Sequence, residues 1–167
     1  MSLWLAFPIL VLLSVLQTSM VPQLAIGGAR PQLVLVWVVC WAVVRGRGEA
    51  MPWAIFAGLL LDLLSQVPPG AHLLALTAVA FVADLGHTVM QGSTALFAAA
   101  AVFAASLVYG IVLVLVLAAT GRPVELADTV VLNIFPGALY NLAVLLPIFI
   151  ALRGFDRQFP VSVLPEW

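Results

Sequence analysis

The sequence predicts an all-α integral membrane protein, a single domain over 1–167 built from six transmembrane helices, and three observations carry that prediction. Of the 167 residues, 65% are apolar and only 8% are charged, about a third of the charge share of a soluble domain. Mean hydropathy is +1.23, so a bilayer is the only solvent able to cover the outside of the folded chain. The apolar residues also fall into six runs, approximately 3–20, 31–44, 50–67, 71–89, 93–119 and 129–152, separated by short stretches of Pro, Gly and charge.

The first run, Leu3 to Met20, just spans a hydrocarbon core of roughly 30 Å at helical rise. It has no basic residue before it and no small-x-small cleavage pattern after it, which reads as a retained helix and not a signal peptide. Pro22, Gly27, Gly28, Arg30 and Pro31 mark the connection that follows. The second run, from Pro31 to Val44, is short for a span. It either extends into the preceding connection or is a short helix lying against protein. The polar turn Arg45 to Glu49 joins it to the third run as a hairpin.

Pro68, Pro69 and Gly70 end the third run by removing donors and breaking α geometry. The fourth, Ala71 to Val89, closes at Gly86, His87, Gln91 and Gly92. The fifth, Ser93 to Ala119, is long enough for strong tilt, and a loop from Thr120 to Asp128 follows it. The sixth, Thr129 to Leu152, carries Pro136 and Pro147 and is predicted to kink, with neighbouring helices taking up the freed carbonyls. The tail from Arg153 to Trp167 reads as short and amphipathic.

Six spans put both termini on one side. Arg45, Arg47, Arg153 and Arg157 lie on that side, and Arg30 and Arg122 on the other. By the positive-inside rule the termini are expected in the cytoplasm. With six Arg, no Lys and a net charge of -1, the chain lacks the clustered cations that nucleic-acid binding needs. Cys40 is the sole cysteine; no intrachain disulfide is possible, and packing is its expected role. There is no HExxH, GxSxG or Walker lysine, and no cofactor or metal is expected. His72 and His87 are isolated and read as interfacial or helix-end residues. Trp4, Trp37, Trp41, Trp53 and Trp167 suit interfacial anchoring or packing.

Ionisable groups at bilayer depth are costly when they face lipid, so Asp62 and Asp84 draw attention first. Ala54, Gly58, Asp62 and Ser65 form one helical row. Thr77, Ala80, Asp84 and His87 form a second, and Asn133, Gly137 and Asn141 a third. Rows of small and hydrogen-bonding residues are packing faces in lipid, where the hydrophobic effect between helices is weak. Asp62 is expected to fix helix contacts, to pair with Arg30, or to bind a partner; Asp84 is expected to be wet at the cytoplasmic interface. A proton-sharing aspartyl dyad, as in lipoprotein signal peptidases, is disfavoured because counting along the spans places the two acids near opposite faces. Asn141, ahead of Pro147, reads as a hydrogen-bond staple in preference to a ligand contact.

The order of features from Arg30 to Leu85 resembles the rod shape-determining protein MreD family. The residues are Arg30-Pro31-Gln32-Leu33, Trp41, the stretch Phe56-Ala57-Gly58-Leu59-Leu60-Leu61-Asp62-Leu63-Leu64, Gly70, Leu74-Ala75 and Ala80-Phe81, with Asn141, Pro147 and Arg153 as a weaker echo near the end. Many relatives look like Pro-Asp-Leu where this chain has Pro31-Gln32-Leu33, so no acidic role is carried over there. The resemblance implies a non-enzymatic inner-membrane subunit of the cell-elongation machinery that binds the single-span protein MreC and links the MreB cytoskeleton with peptidoglycan synthases. It also implies a fold similar to the six-helix substrate-binding subunits of energy-coupling-factor transporters. That likeness supplies the alternative, a vitamin-binding transport component. Against it, those subunits dock through an Ala-xxx-Ala face where the first run offers Ala6 alone, and the short connections Ser65 to Gly70 and Thr120 to Asp128 are expected to supply few pocket groups. The expected partner-binding or structural residues are Arg30, Pro31, Gly58, Asp62, Gly70 and Asn141. They would shape a lateral groove for the MreC helix, with the hairpin of the second and third runs as its wall.

Overall fold

The computed structural model describes residues 3–20, 23, 29–45, 50–89, 95–122 and 129–158. Gly27, Gly28, Arg47, Glu49, Gln91, Gly92, Asp128 and the tail beyond Gln158 lie outside them, as does the side chain of His87. Six α-helices follow one another, α1 (Leu3–Ser19), α2 (Leu33–Arg45), α3 (Ala50–Leu64), α4 (Ala71–Val89), α5 (Ala95–Ala119) and α6 (Phe135–Gln158). A π-helical turn, Val130–Ile134, leads directly into α6. Leu96–Ala119 and Leu132–Gly154 are long and apolar enough to cross a bilayer, while the other four helices are shorter apolar segments.

The short second helix is the centre of the molecule. Every residue of α2 from Val34 to Val43 is buried, with α6, α4, α5, α1 and α3 packed around it. Its 13 residues measure about 20 Å, too little to cross a hydrocarbon core alone. Of the two readings open for this run, the short helix lying against protein is the one observed. The same placement corrects the expected hairpin wall, because α2 is enclosed by the bundle and presents no side to lipid. Trp37, Trp41 and Trp53 make a chain of ring contacts inside it, each with centroids 5.7 Å apart, so these three indoles pack the core and do not anchor at the interface. Cys40 is buried in the same core.

Lipid-facing residues fall on the outer helices, with Leu63 82%, Leu96 81% and Ile150 67% exposed. Small residues make up part of the inward side of α3: Ala54, Ala57 and Gly58 are buried beside Trp53 and Leu61, and Gly58 lies directly against the α4 backbone. Helix α3 stops at Leu64, three residues before the predicted end, and the chain bends through 65–67 before Pro68 and Pro69. Helix α5 ends in a Schellman cap. Gly121 takes φ +76°, and the N–H groups of Gly121 and Arg122 donate to the carbonyls of Ala118 and Leu117. The kink predicted at Pro136 takes the form of the π turn. Proline cannot donate to the carbonyl four residues back and its ring crowds that carbonyl, so the preceding turn opens and Phe135 N–H donates to Val130 instead. Ile134, in that turn, fits over Gly110 of α5, where a Cβ would lie 2.8 Å from the isoleucine. Helix α6 continues to Gln158, six residues past the predicted end and into the stretch expected to be tail.

Candidate functional site

Polar side chains converge at the end of the bundle where the α3–α4 turn, the start of α2 and the chain after α5 meet. The turn fixes the first part of it. Gly70 adopts φ +92°, a conformation side chains resist, so the N-cap position of α4 carries no capping group of its own. Asp62 supplies one from the preceding helix. Its Oδ2 accepts from the N–H of Gly70 at 2.9 Å and of Leu73 at 3.1 Å, and its Oδ1 from the N–H of His72 at 2.9 Å. A carboxylate there satisfies donors that the first turn of a helix leaves free, and it lies at the positive end of the helix dipole. The expected pairing of Asp62 with Arg30 is therefore corrected: both carboxylate oxygens are held by backbone, and Arg30 is exposed. A dyad is likewise absent. Asp84 lies twelve residues beyond His72 along unbroken α4, about 18 Å away at helical rise.

The start of α2 is clamped by side chains from two other helices. Asn141 Oδ1 accepts from Gln32 N–H at 2.6 Å, while Asn141 Nδ2 donates to Ser106 Oγ at 2.9 Å, which in turn donates to the Val102 carbonyl. Gln17 Oε1 of α1 accepts from Val34 N–H at 2.9 Å. Buried Asn141 is thus a staple joining α6, α5 and α2. Asn141→Leu keeps the volume but strips the acceptor from Gln32, and it is expected to destabilise the protein by about 1–3 kcal/mol. Thermal unfolding in detergent reads this directly, and an unchanged midpoint refutes the clamp.

Two openings flank these clamps. A cleft of about 210 Å³ runs between α5 and α6, lined among others by Ser106, Gly110, Asn133, Gly137 and Asn141. The row Asn133, Gly137, Asn141 lines it, with Asn133 exposed and Asn141 buried. A second cavity, about 600 Å³, is lined by Gln17, Arg30, Gln32, Ser65, Gln66, His72 and Arg122 over an apolar base that includes Leu61 and Leu113. This corrects the expectation that the short connections give a pocket few polar groups: the 65–67 bend and Arg122 both contribute. Buried His72 is hydrogen-bonded through Nδ1 to the Tyr109 hydroxyl at 2.6 Å. Among the described residues no three His, Cys, Asp or Glu side chains are placed to hold a metal ion.

Set against known proteins, the profile described as rod shape-determining protein MreD matches residues 1–159. The chain belongs to the MreD family. It is a helical membrane protein of a family that determines rod shape and is not known for enzymatic activity. No curated protein and no solved structure matches it. The six expected residues of this MreD-family chain fall into two structural groups. Gly58, Asp62 and Gly70 shape the α3–α4 junction. Arg30, Pro31 and Asn141 lie around the start of α2, where Pro31 is buried and Arg30 lines both openings. Sequence reasoning missed Gln17, Gln32, Ser106, Tyr109 and Arg122. Their polarity inside or beside apolar runs was visible, but the pairings span up to 109 residues and no local pattern encodes them.

Proposed function

We propose that the chain is a non-enzymatic inner-membrane subunit of the rod-shape complex. It binds the single transmembrane helix of MreC and so helps couple the MreB cytoskeleton to peptidoglycan synthases, with both termini in the cytoplasm. The supporting observation is the cleft between α5 and α6. It has the small backbone at Gly137 that close helix approach requires, Gly110 being covered by Ile134, and the exposed amide of Asn133 as a hydrogen-bonding group for a partner helix. The other small-residue face, on α3, is turned inward and already filled by α4, so the lateral groove of this reading is the α5–α6 cleft. Gly58 and Asp62 then act on partner binding through the fold.

Detergent co-purification with MreC tests the reading. Gly137→Leu, which fills the cleft, and Asn133→Leu, which removes the exposed amide, are expected to lower MreC recovery about tenfold, a loss of about 1.4 kcal/mol. Thermal unfolding of the Asn133 variant alone should stay near wild type. Full recovery of MreC by both variants sinks the groove. The second reading, a vitamin-binding transport subunit with a fold like the substrate-binding subunits of energy-coupling-factor transporters, has the 600 Å³ cavity in its favour. Retention of a vitamin through purification, with no MreC binding, would select it.

A further inference from the structure

The larger cavity holds two cations without a visible counter-charge. Arg30 and Arg122 both line it, and no Asp or Glu does so among the described residues. Among the described residues, the carboxylate next to a lining residue is Asp62, beside Leu61, and both its oxygens are occupied by backbone donors; Glu125 and Asp128, which follow Arg122, lie outside the described residues. Arg122 donates from Nη2 to the Gln66 carbonyl at 3.3 Å, and among the described residues no other hydrogen bond engages its guanidinium fork. Two neutral groups point the same way. Ser65 Oγ and the Gln32 side-chain oxygen are buried without a hydrogen-bond partner, and both residues line this cavity. Buried polar groups are nearly always partnered, by protein or by water, and these two have no protein partner among the described residues. The hydroxyl donates as it stands, and the amide donates once its oxygen and nitrogen are exchanged, a half-turn that leaves its shape unchanged.

We propose that this cavity is an anion site that takes a phosphomonoester. Two guanidinium forks match its charge of about -1.5 to -2 and its three acceptor oxygens; a carboxylate would answer only one of them. The space left beyond the phosphate is bounded by Leu61 and Leu113, which suits the glycerol and upper chains of a lipid. The same chemistry is offered by free phosphate, and the experiment separates the two sources.

Full-length protein in neutral detergent is titrated with phosphatidic acid or with diacylglycerol of the same chains, and adducts are counted by native mass spectrometry; inorganic phosphate is titrated separately in thermal unfolding. Phosphatidic acid is expected to bind well ahead of diacylglycerol. Arg30→Gln and Arg122→Gln should each weaken it about tenfold, and Arg153→Gln, a charge loss away from the cavity, should not. Binding of phosphatidic acid alone assigns the site to a lipid headgroup; a phosphate-dependent rise in Tm that both glutamine variants abolish shows that the phosphate group suffices. The proposal is overturned if neither probe binds, if diacylglycerol binds as well as phosphatidic acid, or if neither cavity arginine changes the affinity. Should the glutamine variants fail to fold, the wild-type protein decides: loss of the phosphatidic acid adduct as salt is raised supports the site, and salt-insensitive binding overturns it.

Discussion

Asp62→Ala is expected to destabilise the protein by roughly 2–4 kcal/mol, the largest loss of any single charged side chain. The reason lies in what no other residue can replace. Position 70 must be glycine to reach φ +92°, so the start of α4 has no side chain of its own to accept from the N–H groups of His72 and Leu73. Removing the carboxylate frees three backbone donors at once, in a part-buried place where water replaces an ionised acceptor poorly. Asp62→Asn separates charge from shape. Its single carbonyl oxygen can serve only one side of the former carboxylate, and its amide hydrogens then face N–H groups that also donate. About half of the loss is expected to remain. Thermal unfolding in detergent orders the three proteins as wild type, asparagine, alanine. An asparagine variant indistinguishable from wild type would show that the charge contributes nothing and that one acceptor is enough. An alanine variant with an unchanged midpoint would remove the cap from the account of this fold.

Much of the helix layout was legible because its cause is local. Runs of Leu, Val and Ala interrupted by Pro and Gly specify helices wherever they lie, and Pro136 announced an irregularity that became the π turn. The centre of the molecule was not legible. In lipid, buried and exposed faces are made of the same residues, so the Val- and Trp-rich sequence of α2 carries no mark of its complete burial, and the Leu- and Val-rich sequence of α5 carries none of its partial exposure. Length was the only clue, since 13 residues are too few to cross a hydrocarbon core by themselves. The site divides in the same way. Asp62 was visible as a charge at depth, and the row through Gly58 as a packing face. Opposite charge suggested Arg30 as the partner, yet the structure answers the carboxylate with backbone N–H groups, which every residue but proline possesses and no sequence pattern advertises. The Asn141–Gln32 and His72–Tyr109 pairings are products of the tertiary fold. They could be anticipated only as polar groups that must find some partner.

Gly58→Leu is expected to prevent accumulation of folded protein, and Gly58→Ala to cost about 1–3 kcal/mol. A Cβ at position 58 would lie 2.5 Å from the Leu73 Cα, 3.0 Å from its nitrogen and 3.2 Å from the His72 carbonyl oxygen. All three are backbone atoms of α4, so no side chain can rotate away and the two helices must separate. The turn they would leave is the one whose N–H groups Asp62 holds, and Leu73 N takes part in both contacts. Gly58 and Asp62 therefore act on one object, the seating of the first turn of α4 on α3. Once Gly58→Ala has lifted that turn, little of the cap remains to lose, so the double variant with Asp62→Ala should cost less than the sum of the two, by about 0.5–3 kcal/mol. Additive losses would mean that the close approach and the cap are independent devices. MreC recovery by Gly58→Ala should follow its thermal midpoint and return when the sample is cooled well below it. Loss of MreC from a variant with wild-type stability would instead place Gly58 at the partner surface, against its position here between two helices of the same chain.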